Sequence, residues 1–221
     1  MLEWLRGPAR KNKLEVRDAL FGEMSLFQWQ PKSPDQGEPW TSFARVLEWW
    51  DRNNNTDAVS VLESILKMPG LDSRHYLEAW TFLRNHGVFP PEDEREKVLG
   101  VIVELGTDHG QDLVAAYSDH HARYNNFLGA VVWERPNDSL DKLIDDLLSA
   151  ASEAVKVIGP WYKGRPAVPP AGQTQVTILT PSGLHCAQGS DSTLLKDGIG
   201  RPILGLSHEL IQQLICLTKK P

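Results

Sequence analysis

From Thr41 onward, apolar positions recur three and four residues apart. Phe43, Val46, Leu47 and Trp50 form one stripe, Ala58, Val61, Leu62, Ile65 and Leu66 a second, and Tyr76, Ala79, Trp80 and Leu83 a third. A helix turning every 3.6 residues places each set on one face, so the spacing predicts three amphipathic helices. Thr41 or Ser42 stands where a cap for the first belongs, Thr56 where one for the second belongs, and the third begins near Ser73. Asn53-Asn54-Asn55, Pro69-Gly70 and Gly87 are the breaks. Connections this short imply antiparallel neighbours. Trp49, Trp50 and Trp80 lie on or beside the apolar faces and are expected in the core, and no fixed period suggests a solenoid. Upstream the pattern is weaker. Asn12 and Glu15 have capping-box spacing before Val16, Ala19 and Leu20, with Gly22 as the stop. Residues 30–39, QPKSPDQGEP, read as a linker flanked by Trp29 and Trp40.

Past the charged residues 92–96 the period changes. Residues 98–105, VLGVIVEL, form a nearly continuous apolar run that reads as a buried strand. Residues 113–134, LVAAYSDHHARYNNFLGAVVWE, continue as strands with Asp119-His120 at a hairpin tip. Ser139 is placed to cap a helix whose apolar face runs from Leu140 to Ile158, and Gly159-Pro160 ends it. Residues 159–172 are a proline-rich spacer. Residues 175–180 alternate as a strand, Pro181-Ser182-Gly183 turns the chain, and residues 184–188 are its partner. A last helix starts at about Ile203 or Ser207 and ends at Leu217. The order β-β-β-β-α-β-β-α predicts an α+β fold. An antiparallel sheet domain with helices packed on one face occupies residues 92–221. A three-helix region over 41–91 precedes it, and a weakly ordered segment and linker covers 1–40.

A two-residue turn at Asp119-His120 needs positive φ at both positions, which Asp and His tolerate better than most side chains. It pairs Tyr117 with Ala122, Ala115 with Tyr124 and Leu113 with Asn126. Val114, Ala116, Ser118, His121, Arg123 and Asn125 then share a half-solvated face.

Composition narrows the function classes. The hydrophobic fraction of 41% and charged fraction of 24% are ordinary for a globular chain. A net charge of -6 and a pI near 5.6 speak against non-specific nucleic-acid binding. Arg6, Arg10, Lys11, Lys13 and Arg17 are read as a solvated helix face. No run reaches the roughly eighteen apolar residues of a membrane span, and the first residues lack the apolar core of a signal peptide. Cys186 and Cys216 fit neither a disulfide framework nor a zinc spacing, so the expected compartment is a reducing cytosol.

Asp119-His120-His121 spells the letters that name the DHH phosphoesterases, but that chemistry needs several further aspartates to hold two cations. His185 and Cys186 are adjacent on a strand, so their side chains point to opposite faces and do not form a Cys–His pair by themselves. Arg123 offers a planar donor fork suited to a carboxylate or phosphate. With Tyr124, His121, Trp133 and His185 it completes the set of candidate binding residues. No catalytic residue, metal ligand or cofactor is assigned.

The runs LVAAYSDHHARYNN, VVWERP, IGPW and LTPSGLH with QG soon after resemble a family of bacterial proteins that carries no assigned activity, over roughly residues 70–205. In that family the hairpin tip commonly reads Asp-Gly. His120 stands at the glycine position, and the resemblance therefore implies turn geometry rather than a metal site. It brings no functional residue with it.

The leading expectation is a non-catalytic bacterial cytosolic adaptor or accessory protein that works through a protein partner. No complete catalytic constellation is present, and eight tryptophans, several near linkers, suit a contact surface. One alternative is a metal-dependent or Cys/His hydrolase using the Asp119–His121 region. A further alternative is a sensor of a small anionic ligand held by Arg123, Tyr124 and Trp133.

Overall fold

The computed structural model describes residues 13–24, 37–52, 54–126, 129–133 and 138–218. Helices α1 (Lys13–Phe21), α2 (Trp40–Asp51), α3 (Asn55–Leu66) and α4 (Ser73–Asn85) come first. Strands β1 (Gly100–Thr107), β2 (Gly110–Tyr117), β3 (Ala122–Asn125) and β4 (Ala130–Trp133) follow, then helix α5 (Asp141–Val155). Strands β5 (Gln173–Thr180) and β6 (Gly183–Ser190), a short helix α6 (Asp191–Leu194) and α7 (Gly200–Thr218) complete the chain. The expected order of strands and long helices is present, with α6 added inside a stretch read as loop.

The six strands form one antiparallel sheet in the order β4-β3-β2-β1-β5-β6. Strands β1 to β4 meander outward in sequence. After α5 the chain returns to the free side of β1, where the β5–β6 hairpin joins it. Side chains alternate along a strand, so a sheet covered on both faces is apolar at consecutive positions. Val101 and Val103 pack with Val114, Ala116, Val176 and Ile178 against Ile144 and Leu147 of α5 and Leu210 and Leu214 of α7. Ile102, Leu113, Ala115, Tyr117 and Leu179 face the other way, onto Phe21, Val46, Leu62, Trp80 and Leu83 of the four N-terminal helices. The C-terminal helices thus share one face, and the helical region covers the opposite one. Trp80 is buried and Trp49 and Trp50 are partly buried against the same core.

Helix starts depart from the expected caps. α2 begins at Trp40, ahead of Thr41 and Ser42, and the Glu38 carboxylate accepts from the Ser42 amide at 3.2 Å. Asn54, not Thr56, caps α3 by accepting from the Asp57 amide. The N-cap position of α5 is Leu140, one residue after the expected Ser139. α7 begins earlier than expected because Asp197 accepts from the amides of Ile199 and Gly200 at 2.9 and 2.7 Å. Asn12, Trp29, Arg6, Arg10, Lys11 and residues 30–36 lie outside the described residues.

Gly22 does end α1, with φ +65°, and a Cβ there would stand 2.6 Å from the Leu77 Cβ of α4. Backbone conformation and close packing both demand glycine. Gly22→Ala is expected to cost about 1–3 kcal/mol, read as a lowered urea midpoint at unchanged slope.

The β2–β3 register corrects the expectation by one residue. Leu113 pairs with Asn125, Val114 with Tyr124, Ala115 with Arg123 and Ala116 with Ala122. The loop has three residues, Ser118-Asp119-His120. The His120 amide donates to the Tyr117 carbonyl and the Tyr117 amide to the His121 carbonyl, each at 3.0 Å. Among the described residues His120 alone of the non-glycines has positive φ, 64°. A three-residue hairpin closed by a left-handed residue needs only one such position, where a two-residue turn needs two. The slip carries every β3 side chain to the other face relative to β2. Tyr124 is buried beside Val114 and Ala116 in the α5/α7 core, and Arg123 shares a face with Ala115 and Tyr117. The half-solvated face expected for Val114 and Ala116 does not exist, because both are buried.

Candidate functional site

The hairpin tip docks onto the first turn of α4. Asp72, the N-cap residue of that helix, makes no side-chain cap bond. The cap comes instead from the hairpin, where Asp119 Oδ2 accepts from the Ser73 amide at 2.5 Å. Its other oxygen accepts from the His121 amide at 3.0 Å. The Ser73 hydroxyl accepts from the Asp119 amide at 3.1 Å and shares a hydrogen bond with the Ser118 hydroxyl at 2.9 Å. An amide left over at a helix N-terminus thus meets a carboxylate 46 residues away in sequence, where the helix dipole also favours negative charge. Burial pushes the Asp119 carboxyl up, but hydrogen bonds from His121 and from the Ser73 and His121 amides hold it below the usual range.

His121 Nδ1 stands 3.1 Å from Asp119 Oδ2 and 3.9 Å from Asp72 Oδ1. The ligating atoms of Asp72, Asp119 and His121 all lie within 4.8 Å of one another, and all three residues are half-buried. Arg74 holds the far oxygen of Asp72 at 3.0 Å. His75 lies one residue further along α4 with its ring against the edge of Trp40, and burial lowers its pKa to about 4. His120 turns away from this group. Its Nε2 is 2.8 Å from Asp145 and its Nδ1 is 3.6 Å from Asp141, both in the first turns of α5. The three consecutive letters Asp-His-His therefore serve three purposes, and the residue that joins Asp119 and His121 is Asp72. Sequence reasoning passed over Asp72, whose only local signal is its place before a helix.

A second polar cluster lies where α1 crosses β1 and β5. Glu104 is fully buried on β1, and Arg17 grips it with Nε 2.7 Å from one oxygen and Nη2 2.9 Å from the other. The side-chain amides of Gln175 and Gln111 donate to the same carboxylate at 3.1 and 3.2 Å. Arg17 also donates to the Pro166 carbonyl, and Arg165 pairs with Asp18 at 2.5 Å and Glu23 at 3.3 Å. Both guanidinium groups lie over the Phe21 ring. The proline-rich connection is thus strapped onto α1. Arg17 is only 4% exposed, which corrects its placement on a solvated basic face.

The other sequence candidates are dispersed. Arg123 and Tyr124 point to opposite faces of the sheet, so they cannot close on one anion. The Tyr124 hydroxyl donates to Asp112 at 2.8 Å. The Trp133 side chain lies outside the described residues. His185 is buried, and its Nδ1 donates to the Ile158 carbonyl at 2.7 Å. Cys186 takes the opposite face, as strand alternation requires, with its sulfur 3.8 Å from Thr177 Oγ1. Burial raises that thiol to about 11, so it carries no thiolate at neutral pH and lacks the charge a nucleophilic cysteine needs.

No protein-family model, curated protein or solved structure matches this chain.

Proposed function

We propose that the protein is a non-catalytic adaptor or accessory protein of the bacterial cytosol that acts by binding a protein partner. The observation that supports this reading is the sheet edge at β6. This eight-residue strand pairs with β5 on one side and stands last in the sheet order. In an antiparallel ladder alternate residues turn their backbone groups outward. Leu184 is one of them, its carbonyl accepting from the Trp161 amide at 2.7 Å, and alternation places Cys186 and Gln188 in the same set. Six large apolar side chains are exposed among the described residues, and four of them, Val157, Trp161, Tyr162 and Val168, belong to the segment that meets the edge at Trp161. Tyr162 is 91% exposed. An open strand edge bordered by aromatic side chains suits strand addition by a partner, and exposed apolar side chains concentrated in one stretch fit a contact surface. No helix among the described residues is long and apolar enough to cross a membrane.

Affinity purification from the native cell tests the reading, with Tyr162→Asp and Trp161→Asp compared against wild type and a Leu195→Asp control. The expected result is a partner chain recovered with wild type and the control and lost with the two edge variants, at unchanged thermal midpoints. A monomer without any partner, or a partner retained by every variant, overturns it.

A further inference from the structure

We propose that Asp72, Asp119 and His121 form a binding site for a divalent first-row transition-metal ion at the junction of α4 and the β2–β3 hairpin. Ligand atoms bound at about 2.0–2.2 Å around a tetrahedral or octahedral ion stand roughly 3–3.5 Å apart. His121 Nδ1 and Asp119 Oδ2 already satisfy that spacing at 3.1 Å, and the 3.9 Å to Asp72 Oδ1 closes with a small side-chain rotation. The donor set is two oxygens and one imidazole nitrogen. Imidazole favours zinc, iron, cobalt and nickel over magnesium and calcium, and the lack of a thiolate disfavours copper(I). Three protein ligands leave positions open for water.

The surroundings suit a preorganised site. Asp119 is fixed by two backbone amides, one from each element, and on Oδ2 the lone-pair direction that now faces His121 Nδ1 is the one a shared ion would take once Nδ1 gives up its proton. Arg74 binds Asp72 through Oδ2, which leaves Oδ1, the oxygen near His121, turned toward the other two ligands. Such outer partners orient metal ligands in established sites. Asp72 and Asp119 bring two carboxylates to the site, and Arg74 engages one oxygen of the first. His120 is held by Asp141 and Asp145 and does not compete for the ion.

The full chain, stripped with chelator, is titrated with Zn²⁺ by calorimetry and with Co²⁺ by visible absorption. One ion per chain is expected, without a thiolate-to-metal charge-transfer band. Affinity is expected to fall more than tenfold in His121→Ala and to weaken in Asp72→Asn. The imidazole nitrogen resonances of His121 in wild type are expected to shift at one equivalent of Zn²⁺, a readout independent of how the variants fold. Absence of stoichiometric binding, unchanged affinity in both variants, or an unperturbed His121 signal overturns the site.

Discussion

Replacing Glu78 by Gln is expected to remove a pH-dependent loss of stability that the wild-type chain carries between pH 5 and 8. Glu78 on α4 is fully buried. Burial is the main cause that raises its carboxyl to about 9, with Glu23 and Asp18 adding to the rise and the Met24 amide opposing it. The folded chain therefore holds a proton at neutral pH that the unfolded chain, titrating near 4.5, has released. A carboxyl raised in this way contributes its full stability below the unfolded value and loses it as pH climbs toward the folded one. The slope is about 1.4 kcal/mol per pH unit, so roughly 4 kcal/mol disappears from pH 5 to 8 by the same relation. Glutamine keeps the neutral shape and has nothing to titrate. Urea midpoints of wild type and Glu78→Gln at pH 5 and 8 measure the difference, and parallel pH profiles would show that Glu78 is ionised in the fold. His75, lowered to about 4, has the opposite sense, losing stability as pH falls from the ordinary 6.5. It is common to both proteins and cancels in the comparison.

Arg17→Met is expected to cost about 3–5 kcal/mol, the usual penalty for stripping one partner from a buried ion pair. The loss leaves the buried Glu104 carboxyl beneath α1 with the side-chain amides of Gln111 and Gln175 as its remaining donors among the described residues. The double variant Arg17→Met/Glu104→Leu is expected to recover much of that cost, because apolar replacements of a buried pair are often neutral. Urea denaturation of wild type, both single variants and the double closes the cycle. A coupling energy above about 1 kcal/mol is the expected outcome, and simple additivity would mean that the two charges do not depend on each other.

Much of the fold was legible because its signals are local. Three helical stripes between Phe43 and Leu83, the apolar run ahead of Leu105 and the Pro181-Ser182-Gly183 turn each declare an element within a few residues. Both faces of the sheet are covered, and the nearly continuous apolar run into β1 marked that strand as buried. The candidate site was only half legible. Asp119 and His121 drew notice as part of a motif, while Asp72 did not, because 46 residues separate Ser73 from the carboxylate that caps it. The hairpin register failed for a related reason. Two-residue and three-residue loops are both compatible with Ser-Asp-His, and the docking of Asp119 on Ser73 belongs with the three-residue form observed.

The order of the strands and long helices, the apolar faces of those helices and the separation of His185 from Cys186 were determined by the sequence alone, since each follows from periodicity along a single segment. Only the tertiary structure decided that Arg17 is a buried partner of Glu104, that Arg123 and Tyr124 face apart, and that Asp72 meets Asp119 and His121. Those outcomes rest on which distant surfaces exclude water together, and a charged side chain carries no local mark of whether its counterion lies in solvent or in the core.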